Sequence, residues 1–83
     1  IFGDAGDDNL YGGAGDDTIN GGAGGGNFFG EDGNDIINGG TSNTYVSGGN
    51  GNDTITGFAG NDDLRGDAGD DTISAGDGND QIY

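Results

Sequence analysis

The sequence predicts an all-β fold built by stacking very short strands, and three observations carry that prediction. A nine-residue pattern runs from Gly3 to Tyr83 without insertion or gap, and an unbroken internal period fixes architecture ahead of any local propensity. The last three positions of most units read polar–apolar–polar, the alternation of a half-buried strand. Glycine makes up 23 of the 83 residues and recurs at positions one, two and four. With Asn or Asp at position five, it supplies residues that tolerate positive φ, so each strand is preceded by a tight loop.

Nine units begin at residues 3, 12, 21, 30, 39, 48, 57, 66 and 75, and Ile1 and Phe2 fit positions eight and nine of a unit cut off upstream. Unit one carries Asp4 at position two and an acid, Asp8, at position six. Unit two is complete, with Asp17; unit three keeps its glycines but has Gly26 where the acid belongs. Unit four has Glu31 at position two and retains Asp35, whereas unit five replaces the fourth glycine by Ser42 and the acid by Thr44. Unit six is complete, with Asp53, and unit seven keeps Asp62 behind a bulky Phe58. Units eight and nine keep Asp71 and Asp80. The eighth positions, Leu10, Ile19, Phe28, Ile37, Val46, Ile55, Leu64, Ile73 and Ile82, form the expected inward set. A unit with one apolar residue cannot bury it alone, so the units must stack into a single module spanning residues 1–83.

Charge bounds the function. The formal net charge is −15, Arg65 is the only basic residue, and Pro and Cys are absent. Few apolar residues with a large net charge is the composition of a disordered chain, so order here has to be conditional on an external partner, and cations are the obvious one. Such acidity argues against nucleic acid and, in the absence of bridging calcium, against anionic membranes. No apolar run approaches the ~20 residues of a membrane span. The start within a repeat, with neither Met nor a signal peptide, reads as a piece of a longer chain.

The pattern G-G-x-G-x-D-x-U-x, complete in Gly12–Asn20 and Gly48–Thr56 and degenerate elsewhere, resembles the RTX (haemolysin-type) calcium-binding repeat, and the resemblance covers essentially the whole chain. It implies a right-handed parallel β-roll with two nonapeptides per coil, here about 4.5 coils and about 20 Å long. Residues 18 apart then stack, and odd and even units line opposite sides. It also implies Ca2+ between loops of adjacent coils. The earlier loop gives the carbonyls of positions one and three with its Asp; the later gives those of positions two and four with its own. Six to eight oxygens suit calcium. On the even side this places Asp17/Asp35 with Gly12, Ala14, Glu31 and Gly33; Asp35/Asp53 with Gly30, Asp32, Gly49 and Gly51; and Asp53/Asp71 with Gly48, Asn50, Asp67 and Gly69. On the odd side, Asp62/Asp80 join Gly57, Ala59, Gly76 and Gly78. Asp8 faces a unit without an acid and supplies a half site of little consequence. About four well-formed sites are expected.

With no His, Lys or Cys, no nucleophile–base pair of the usual kinds can be assembled, and the expectation is a non-enzymatic module. By resemblance it belongs to a larger bacterial protein exported by type I secretion, unfolded in calcium-poor cytosol and folded outside the cell. Two other readings are a surface that binds polysaccharide or protein, and a self-assembling solenoid. Tyr11, Phe29 and Tyr45 fall at outward positions of odd units, beside the loops that lack acids, and form a candidate contact surface.

Overall fold

The computed structural model describes all 83 residues and contains nine β-strands and no helix. One parallel sheet runs β1 (Asp8–Ala14), β3 (Gly26–Asp32), β5 (Thr44–Asn50), β7 (Asp63–Ala68) and β9 (Gln81–Ile82). The other runs β2 (Thr18–Gly22), β4 (Ile36–Gly40), β6 (Thr54–Thr56) and β8 (Thr72–Ser74). Each strand therefore pairs with the strand two places away, and consecutive strands lie in opposite sheets. The register is 18 residues throughout: Leu10 pairs Phe28, Phe28 pairs Val46, Val46 pairs Leu64 and Leu64 pairs Ile82, while Ile19, Ile37, Ile55 and Ile73 follow one another in the second sheet. Two nonapeptides make one coil of a β-solenoid, as the resemblance to the RTX repeat implied.

The eighth-position residues meet between the sheets. Ile19, Phe28, Ile37, Val46, Ile55 and Leu64 are fully buried and form one cluster, with Leu10, Ile73 and Ala75 packed against it. The inward set of nine is thus not uniformly buried: Ile82, paired with Leu64 on one side only, is 54% exposed. The smallest extent of the molecule is 12 Å, the thickness of two sheets packed face to face at about 10 Å.

The loops correct one expectation. Positive φ falls at positions two and four, as at Gly13 (91°) and Gly15 (99°), and otherwise only at Gly26 (131°), which stands at position six without a side chain; even Asp4, Glu31, Phe58 and Asp67 adopt it at position two. Positions one and five do not use it. At position five the side chain is what matters, because its Oδ1 accepts the amide of the same position one coil later. Asn34 donates to Asp16 at 2.8 Å, Asn52 to Asn34 at 2.8 Å, Asn61 to Asn43 at 2.8 Å and Asn79 to Asn61 at 2.9 Å. These bonds hold successive loops in register without any metal. Unit five departs from the rest, since neither Gly40 nor Ser42 takes positive φ.

Candidate metal centre

Position six stands at the junction of loop and strand, opening β1, β3 and β5 and immediately preceding the other strands. The carboxylate there spends one oxygen on the preceding coil: Asp17 N–H donates to Asp35 Oδ1, Asp35 to Asp53 and Asp53 to Asp71, each at 2.8 Å. On the odd side Thr44 N–H donates to Asp62 Oδ1 at 2.8 Å and Asp62 to Asp80 at 2.9 Å. The predicted aspartates thus stand in two columns, with the pairings that the 18-residue period dictates.

The second oxygen has no such partner. Oδ2 of Asp8, Asp17, Asp35, Asp53 and Asp62 is buried without any hydrogen bond. Asp35 and Asp53 are only 1% exposed and Asp62 only 2%. Burying an ionised oxygen unpaired is among the more costly things a fold can do. Burial accordingly pushes the carboxyls of Asp35, Asp53 and Asp62 above the ordinary range; the backbone N–H bond opposes that rise, and neighbouring aspartates add to it. No side-chain cation relieves them, because Arg65 is held by Asp63 at 2.9 Å.

The position-one glycine completes the cradle. A Cβ on Gly30 would lie 2.4 Å from Asp35 Oδ2 and 2.5 Å from the Gly48 carbonyl oxygen of the next coil. On Gly48 it would lie 2.4 Å from Asp53 Oδ2 and 2.8 Å from Gly66 O, and on Gly57 it would lie 2.6 Å from Asp62 Oδ2 and 2.5 Å from Ala75 O. Glycine is required here for space rather than for φ. The loops stack residue on residue, with Glu31 beside Gly49, Asp32 beside Asn50, Gly49 beside Asp67 and Ala59 beside Asp77. The expected carbonyl donors therefore lie on facing loops. No three acidic side chains converge anywhere, so a cation between coils has to draw on a pair of aspartates and on backbone oxygens. Hard oxygen donors, flexible in number, with net negative charge suit calcium, and the residues present fit it.

The two acid-free units solve the problem differently. Thr44 is buried, and its hydroxyl donates to the Ser42 carbonyl at 2.9 Å while accepting Gly40 N–H at 3.4 Å. Ser42 N–H reaches Gly24 O at 3.0 Å and Gly24 N–H reaches Thr41 Oγ1 at 3.1 Å. Protein hydrogen bonds close these loops.

The outer face of the odd sheet carries the expected aromatics and more. Tyr11 and Phe29 stack at 5.0 Å with planes 11° apart, and Phe29 meets Tyr45 at 5.8 Å. Arg65 then lies over Tyr45 at 5.4 Å and over Tyr83 at 4.5 Å. Sequence reasoning missed Arg65 and Tyr83, although both occupy position nine of odd units, in one column with Tyr11 and Phe29. Tyr45 enters from position seven, next to the place where Ser47 leaves the column without a ring.

No curated protein and no solved structure is significantly similar to the chain. The family model described as RTX calcium-binding nonapeptide repeat matches in four copies, over residues 1–27, 27–46, 38–73 and 56–83. Together these matches run the length of the stacked loops whose glycines and aspartates form the cradles, and the chain belongs to the RTX calcium-binding nonapeptide repeat family.

Proposed function

We propose that this chain is a calcium-dependent folding and display module within a larger secreted protein, without chemistry of its own. The observation that carries the reading is the row of buried aspartate Oδ2 atoms left without a donor, each beside a position-one glycine where a Cβ would crowd that oxygen and a carbonyl of the next coil. Calcium is held between units two and four by Asp17 and Asp35, between four and six by Asp35 and Asp53, and between six and eight by Asp53 and Asp71. Asp62 and Asp80 hold one more on the odd side. Four divalent ions carry eight positive charges against a net −15. Affinity falls in the weak range of extracellular modules, about 10⁻⁴–10⁻³ M per site, with cooperative binding because Asp35 and Asp53 each serve two sites. Such a chain stays unfolded where calcium is scarce and folds after export. Far-UV circular dichroism of the metal-free chain should show disorder, and millimolar calcium should convert it to a β spectrum. Superimposable spectra would sink the proposal.

A second reading rests on the aromatic column. Tyr11 is 58% exposed and leads a continuous stack through Phe29 and Tyr45 to Arg65 and Tyr83, a surface suited to a sugar, a neighbouring domain or another copy. Phe29→Ser with Tyr45→Ser separates this role from mere stacking. Loss of glycan binding or self-association at unchanged melting temperature supports a contact surface; a lower melting temperature with association unaltered assigns the column to stability alone.

A further inference from the structure

The stranded Oδ2 atoms mark which gaps between coils are built to hold an ion, and there are five of them rather than four. We infer that the gap between units one and three is a fifth calcium site, held by Asp8 without a second carboxylate; the inference rests on the calcium-binding reading above. Asp8 as a residue is half-exposed, but its Oδ2 is buried and unpartnered like those of Asp17, Asp35, Asp53 and Asp62.

The cradle around it is the same. A Cβ on Gly3 would lie 2.6 Å from Asp8 Oδ2 and 2.7 Å from Gly21 O. Gly30 shows the same pair of neighbours at 2.4 and 2.5 Å, and Gly57 at 2.6 and 2.5 Å. In the remaining gaps that pair is absent. A Cβ on Gly21 would meet the Phe28 ring, and one on Gly39 would meet backbone oxygens with no carboxylate. There the loops are closed by Thr41, Ser42 and Thr44.

What unit three lacks is the second aspartate, which elsewhere receives the position-six amide of the earlier coil. That structural task passes to the backbone. Asp8 N–H donates to Gly25 O at 3.2 Å, and Gly25 N–H donates to Asp7 Oδ1 at 3.1 Å. The loop pair is otherwise in register, with Ala5 bridged to Ala23, Gly6 N–H on Ala23 O at 2.9 Å and Gly3 N–H on Asn20 O at 2.8 Å. Loop one is therefore formed and closed, yet one carboxylate oxygen inside it is left without a partner. Gly26 contributes no carboxylate, and calcium readily takes water in place of a protein ligand. With one carboxylate instead of two, this site binds more weakly than the others and fills last.

Native mass spectrometry and calorimetric titration of the whole chain with calcium test it. Wild type should bind five ions and Asp8→Asn four, while Asp80→Asn, which leaves Asp62 as the lone carboxylate of its gap, should keep five with two of them in the late, weak step. In a parallel titration followed by NMR, the amides of Asp8, Gly21 and Gly25 should shift in a late step of their own, a readout that does not depend on any variant folding. Four ions in both wild type and Asp8→Asn, with no late shift at Gly21, would overturn the fifth site and leave the calcium module intact. No ions bound at all would overturn the module itself.

Discussion

An aspartate at position six has two tasks on two oxygens, and substitutions can separate them. Oδ1 receives a backbone amide from the coil before, as Asp35 N–H to Asp53 at 2.8 Å, while Oδ2 is stranded. Asp53→Asn keeps an acceptor for that amide and offers an N–H₂ toward the Gly66 carbonyl. It should therefore raise the stability of the metal-free fold, by about 1 kcal/mol, while weakening calcium binding in two gaps because Asp53 belongs to two proposed sites. Asp80→Ala should weaken only one. Equal losses from the two variants, measured by titration, would show that the two-column arrangement does not govern binding. Glycine at position one is equally constrained. Gly48→Ala places a methyl 2.4 Å from Asp53 Oδ2, and overpacking of this kind costs about 1–3 kcal/mol. Its calcium-dependent folding midpoint should move to higher calcium, whereas Gly6→Ala, where nothing lies within 4 Å of the added carbon, should act only through its φ of 98°.

At the level of elements, the sequence was most informative where one period governs everything. The buried row from Ile19 to Leu64 follows from the nine-residue repeat, and the 18-residue register and the two sheets from its resemblance to the RTX repeat; a single slip would turn every inward residue outward. The site columns were legible for the same reason. What could not be read was how side chains use their second functional group. The position-five Asn and Asp residues look like turn formers, yet they form a hydrogen-bonded ladder between coils. Thr44 looks like a lost ligand, yet it closes its own loop. Arg65 looks like an isolated charge, yet it is sandwiched between Tyr45 and Tyr83 and paired with Asp63. Each depends on where a side chain turns after the backbone is set. The aromatic column carries a prediction at this scale. Tyr–Phe stacks contribute about 0.5–1.5 kcal/mol beyond buried area, and the column bridges the coils whose odd loops lack acids. Phe29→Ser, which removes the ring shared by both contacts, should lower the melting temperature in calcium by about 5 °C or more, and Tyr11→Ser by less.

For the molecule as a whole, protons and calcium compete for the same oxygens, and this gives opposite pH dependences to the two states. Burial holds the carboxyls of Asp35, Asp53 and Asp62 above the ordinary range in the metal-free fold. Between the unfolded carboxylate value of about 4 and those raised values, the folded chain binds more protons than the unfolded one. Stability of the metal-free fold therefore falls as pH rises through that window and recovers on acidification. Lowering pH also removes part of the mutual repulsion of a −15 chain. With calcium bound, the order reverses, since the ligands must be deprotonated and acid displaces the ion. Circular dichroism of the dialysed, metal-free chain should thus show more β-structure near pH 4 than at pH 7. The same chain in millimolar calcium should melt at a lower temperature near pH 4 than at pH 7. If acid moved both states in the same direction, the buried aspartates would not be where calcium and protons meet, and the coupling of folding to these side chains would have to be sought elsewhere in the coil.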